Sequence, residues 1–131
     1  MERLSRVIAV VFVVVGGLVH LRLWRDGYRA IPRIGPSFIA NVAVSGVLAA
    51  VILIKNDLRV TFAGIAFAVA SLGALVMSRT VGLLGFTEKV WTTDAIIVTG
   101  AEVGAIVALT MLAVMRQHGV HGFRGAARAQ G

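Results

Sequence analysis

Four apolar runs, each about long enough to cross a lipid bilayer as a helix, constrain this chain more than anything else in it. They are Val7 to Trp24, Ser37 to Ile54, Val60 to Ser78 and Ala95 to Met115. A helix needs about 20 apolar residues to traverse the hydrocarbon layer. Lipid offers no hydrogen bonds, so backbone polar groups there must be satisfied within a helix or around a closed barrel. The runs are rich in Val, Ala, Leu, Ile and Gly. They lack the alternating pattern of barrel strands. The expected fold is therefore all-α, an antiparallel bundle of four transmembrane helices.

Composition leads to the same class. Apolar residues make up 58% and charged residues 15% of 131 residues, and the mean hydropathy is +0.90. Soluble domains carry about 25% charged residues, and a chain this short could not bury so much apolar surface in a water-soluble core. The net charge of +7 does not indicate nucleic acid, because the basic residues stand at the ends of the apolar runs, where such residues meet headgroups and set topology. With no cysteine, disulfides and thiolate metal sites are excluded. Arg3 and Arg6 precede the first run as in a signal peptide. The run continues to Trp24 without a small-residue cleavage pattern, so a retained helix is expected.

These features divide the chain into a membrane domain, residues 1–115, and a flexible basic tail, residues 116–131. The first connector, Arg25 to Pro36, holds two prolines and two glycines as turn signals, and Pro36 suits the first turn of the second helix. Lys55 to Arg59 reads as a tight hairpin. The half-apolar third connector, Arg79 to Asp94, reads as a short re-entrant or amphipathic piece. Four spans put both termini and the Lys55–Arg59 hairpin on one side with seven basic residues, against six on the other. By the positive-inside rule this surplus places the termini in the cytoplasm.

Charged and amide side chains inside a span are costly and mark functional candidates. Here they are His20, Asn41 and Glu102 in the first, second and fourth runs. Counted along the helical rise, all three fall in the half of the bilayer nearest the first and third connectors. That face also carries Arg22, Arg29, Arg79 and Glu88, so a polar pocket is expected there. A His20–Glu102 pair could exchange a proton, bind a headgroup or clamp the helices. Metal or haem ligation by His20 lacks a second strong ligand in the membrane, since His118 and His121 lie in the tail. No metal or other cofactor is expected. Asn41 reads as helix-packing glue. Gly100 and Gly104 have small-xxx-small spacing, compatible with packing inside one chain or with a dimer seam. No hydrolase elbow, phosphate loop or zinc motif occurs, and no serine has an evident base and orienting acid. A non-enzymatic protein is expected.

The stretch from Val19 to Phe38, with His20-Leu21-Arg22-Leu23-Trp24 followed by Gly27-Tyr28-Arg29-Ala30-Ile31-Pro32-Arg33-Ile34-Gly35, resembles small four-span membrane proteins of actinobacteria. Ser78-Arg79-Thr80-Val81-Gly82-Leu83-Leu84-Gly85-Phe86-Thr87-Glu88 is similar to their third connector. Size and span number are loosely DoxX-like. The resemblance implies a multi-pass protein of the bacterial plasma (inner) membrane and draws His20, Arg22, Tyr28, Arg29, Arg79 and Glu88 into one motif set. Two functional expectations follow. The first is an accessory subunit that binds membrane lipid headgroups, or a larger membrane protein complex, through the polar pocket. The alternative is a small homodimeric proton-coupled transporter that uses Glu102.

Overall fold

The computed structural model describes residues 1–55 and 57–129, with side chains described as far as Gly119. It contains four long helices: α1 (Glu2–Arg25), α2 (Ile34–Ile54), α3 (Leu58–Thr80) and α4 (Thr93–Ala129). A single 3₁₀ turn, Tyr28–Ala30, lies in the first connector. All four helices are long and apolar enough to cross a membrane, α4 by its described stretch Thr93–Gly119.

The helix ends follow from local chemistry. Gly27, at φ +140°, provides a backbone conformation that L side chains rarely adopt and ends the path of α1. The Asp57 carboxylate accepts from the Arg59 N–H at 2.8 Å and caps α3. In the third connector Leu83 and Phe86 exchange two 2.8 Å backbone hydrogen bonds, while Leu84 and Gly85 both have positive φ. This is the dihedral pattern of a type I′ turn. The connector, expected as a short re-entrant or amphipathic piece, is built as a tight turn within an irregular loop, because its glycines and reversed dihedrals interrupt helix after Thr80. α4 also continues past Met115. Arg116 and His118 lie on helix rather than at the start of a tail, while His121 and the later side chains fall outside the described ones.

Around the bundle, α2 packs on α1, α1 on α4, and α4 on α3, while α2 and α3 touch much less. Small residues allow the close approaches. A Cβ on Gly17 would stand 2.8 Å from Ser45 Cβ, and one on Gly104 would meet the Phe12 ring at 2.6 Å. Gly104 therefore serves packing within the chain, while Gly100 faces open space. The buried cluster includes Ala9, Val13, Ile52, Ala68, Ala105, Leu109 and Leu112. Other apolar residues, among them Val47, Val69, Phe62 and Met111, point outward. A core in which alanines let the helices approach around Ile52, Leu109 and Leu112, with an apolar exterior, suits a bundle surrounded by lipid, where close van der Waals packing holds helices together.

The two ends of the bundle are fastened differently. At the end bearing the N-terminus, the Arg116 guanidinium lies between α1 and α3. Its Nε donates to Glu2 Oε1 at 3.2 Å, and Nη1 donates to the Asp57 carbonyl at 3.0 Å and to Thr61 Oγ1 at 2.5 Å. At the opposite end α2 and α3 leave a cleft.

Candidate functional site

The cleft lies between α2 and α3 at the connector end of the bundle and encloses about 560 Å³ including its mouth. From α2 come Ile34, Ser37, Phe38 and Asn41; from α3, Ser71, Ala74, Leu75 and Ser78; from α1, His20; and from the third connector, Leu83 and Phe86. Helical periodicity explains the selection. Ser37 and Asn41 are four apart, as are Ser71 and Leu75, so each pair shares one helix face.

Behind the cleft a directional chain of hydrogen bonds runs through the bundle. Ser45 Oγ donates to Asn41 Oδ1 at 3.3 Å, and Asn41 Nδ2 donates to Ser71 Oγ at 3.2 Å. The Ser71 hydroxyl in turn lies beside the Glu102 carboxyl group. Glu102, 5% exposed, lies against α1 at Gly16, where a Cβ would be 3.3 Å from Oε1. One polar cluster thus joins α2, α3 and α4 and touches α1. Buried polar groups of this kind require mutual satisfaction, and the bare backbone of Gly16 and Gly17 makes room for it.

His20 lines the cleft one helical turn from Gly16. Its Nδ1 lies 2.8 Å from the Gly16 carbonyl, and a carbonyl can only accept, so that nitrogen carries the hydrogen. No His20–Glu102 hydrogen bond occurs among the described residues. The two side chains both approach Gly16, His20 through the Gly16 carbonyl and Glu102 through the bare Cα side of that glycine.

Aromatic rings cover the cleft's connector end. Tyr28 stacks on Phe38 at 5.1 Å between centroids and meets Phe86 edge-on at 5.8 Å, and His20 meets Phe38 edge-on at 5.0 Å. Such geometries are favourable beyond area burial. The Tyr28 hydroxyl points to Glu88 Oε2 at 3.5 Å. Burial, followed by the neighbouring Glu88 charge, holds the phenol above its ordinary range, so it remains a proton donor at neutral pH.

The cationic members of the expected pocket lie elsewhere. Arg79 donates to the carbonyls of Glu88, at 3.3 Å, and Val90, and its guanidinium sits 4.7 Å over the Trp91 ring. It shapes the third connector. Arg22 bridges Asp26 and Asp94, each at 3.5 Å, tying α1 to the start of α4. Arg29 is exposed, and its backbone carbonyl lies where a Cβ on Gly35 would intrude at 2.7 Å. Glu88 accepts the Val90 N–H at 3.1 Å. The structure thus groups His20 and Asn41 in the cleft with Glu102 behind them, and assigns Arg22, Arg79 and Glu88 to fastening the connectors. Sequence reading missed Ser71 and Ser78, which carry no charge and have no motif to mark them. The spacing of polar residues along α3 was the available signal.

Fold and site together define a multi-pass, four-helix membrane protein with a polar-floored cleft. Compared with known proteins, the chain matches no family model, no curated protein and no solved structure.

Proposed function

We propose that this protein is a non-enzymatic membrane component that binds an amphipathic molecule from the bilayer in the α2–α3 cleft. One observation carries the reading: hydrogen-bonding groups of His20, Asn41 and Ser71 line a space otherwise walled by Phe38, Ala74, Leu75 and Phe86. Ligand sites combine mainly apolar walls with a few placed polar groups in this way. The slack α2–α3 seam gives a molecule in the membrane a route between the helices. An accessory role, in which the bound molecule or a connector-face partner is presented to a larger assembly, is compatible with a chain that has no evident catalytic set.

Native mass spectrometry of protein released from nanodiscs tests this reading. A stoichiometric amphiphile should stay with the parent protein and be lost from Ala74→Trp, which fills the cleft. Equal retention by both proteins would contradict it.

A second reading has its own support. The Glu102 carboxyl group is buried in the bundle beside Ser71, a residue of the cleft, and a small dimeric transporter would use such a group to exchange a proton against an occupant. Under it, Glu102→Gln abolishes proton-coupled flux in liposomes while leaving the fold intact. Unchanged flux, or none with the parent protein, removes this reading.

A further inference from the structure

From the hydrogen-bond bookkeeping of the cleft, we infer that it selects an uncharged amphiphile whose headgroup is a hydroxyl, rather than a phosphate-bearing lipid. The inference rests on the cleft being the ligand site proposed above, and it names what that site takes. Among the described residues no arginine or lysine lines the cleft, so none of them neutralises a phosphate there, whose three or more acceptor oxygens call for several donors or cations.

The donors that are present are already used. Ser37 Oγ donates to the Arg33 carbonyl at 2.6 Å, and Ser78 Oγ donates to the Leu75 carbonyl at 2.7 Å. Ser71 Oγ accepts from Asn41 at 3.2 Å, and its own hydrogen has the buried Glu102 carboxyl group beside it. Each serine therefore offers a ligand only lone pairs. His20 has its Nδ1 hydrogen on the Gly16 carbonyl, which in the neutral ring makes Nε2 an acceptor. The remaining donor is the second hydrogen of Asn41 Nδ2, whose first goes to Ser71. The cleft is rich in acceptors, with one free donor among its lining side chains. A hydroxyl matches this, giving its hydrogen to His20 Nε2 or a serine oxygen and accepting one from Asn41. The Phe38, Leu75 and Phe86 walls suit the hydrocarbon that follows it.

Competition binding in nanodiscs, read by native mass spectrometry, tests the inference with three probes sharing one chain: oleyl alcohol, oleyl methyl ether and oleyl phosphate. The ether keeps an acceptor and loses the donor, so it should bind roughly five- to tenfold more weakly than the alcohol, the scale of one hydrogen bond. The phosphate should bind more weakly still. His20→Phe, with its helicity and melting checked against the parent, should reduce the preference for alcohol over ether. Equal binding of alcohol and ether, both blocked by Ala74→Trp, would overturn the hydroxyl inference and leave the cleft as a ligand site. Tighter binding of the phosphate would also overturn it. If no probe saturates and Ala74→Trp changes nothing, the cleft reading itself falls and takes this inference with it.

Discussion

At the scale of single residues, Asn41 has the most demanding position. Its amide both accepts, from Ser45, and donates, to Ser71, so it joins α2 to α3 where those helices otherwise touch little. Replacing it with Leu keeps the volume and removes both bonds. The expected loss is about 1 kcal/mol, since interhelical hydrogen bonds in membranes are individually modest. It should appear as a lowered melting temperature in mild detergent, with helicity retained. An unchanged melting temperature would show that the polar cluster contributes nothing to holding α2 on α3.

Tyr28 offers a second test at this scale, because it is the only tyrosine in the chain. Its phenol is held above the ordinary value near 10 by burial first and by Glu88 second. A pKa raised on folding stabilises the fold fully below the unfolded pKa, and that contribution fades as pH rises through the folded one. Tyrosinate absorbance should therefore rise only above about pH 10, with the aromatic cover loosening over the same interval. Glu88→Gln should move the midpoint down. An ordinary midpoint in the parent protein would mean that the ring is not seated between Phe38 and Phe86.

At the scale of elements, the glycines separate into two groups that look alike in the sequence. Gly17 faces Ser45 across the α1–α2 contact, where an added Cβ would stand 2.8 Å from Ser45 Cβ. Gly46 has nothing within 4 Å of such an atom. Gly17→Ala must push the helices apart, at a cost of about 1–3 kcal/mol by the usual penalty for overpacking. Gly46→Ala should be neutral or slightly stabilising, because alanine is the better helix former. Thermal melting of the two variants side by side checks the contrast, and equal effects would contradict this helix packing.

The Arg116 clamp is also an element-scale device. Its side chain, 7% exposed, holds the beginnings of α1 and α3 to α4 through Glu2, Asp57 and Thr61. Arg116→Met should loosen these ends, seen as faster amide exchange near Leu58 to Thr61. The Glu2 carboxylate is more than a third open, so its ion pair contributes little, and most of the loss should come from the Thr61 and carbonyl bonds. Exchange no faster than in the parent would remove the clamp.

At the scale of the molecule, the four spans were legible in the sequence because the bilayer demands long apolar helices, and residue type alone reports that demand. The convergence of His20, Asn41 and Glu102 toward one end was also readable, from rise per residue and alternating direction. Their partners were not. Whether Glu102 meets His20 or Ser71 depends on helix rotation, and the nearly uniform apolar faces of α2 and α3 leave that rotation unmarked. The arginines misled for a related reason: Arg22 and Arg79 lie at the right level, but Asp26, Asp94 and the Glu88 and Val90 carbonyls engage them. The third connector's turn depends on Leu84 taking positive φ, a conformation that a residue with a Cβ rarely adopts.

All of the functional reading depends on the α2–α3 cleft being a place where a bilayer amphiphile sits. Methyl-labelled alanine NMR in nanodiscs addresses this most directly, because Ala74 lines the cleft while Ala70, one turn earlier on α3, is exposed at the bundle surface. On titration with oleyl alcohol, the Ala74 methyl should shift saturably at low mole fraction, while Ala70 moves only slightly and without saturation. Parallel, unsaturating shifts at both methyls would contradict the account.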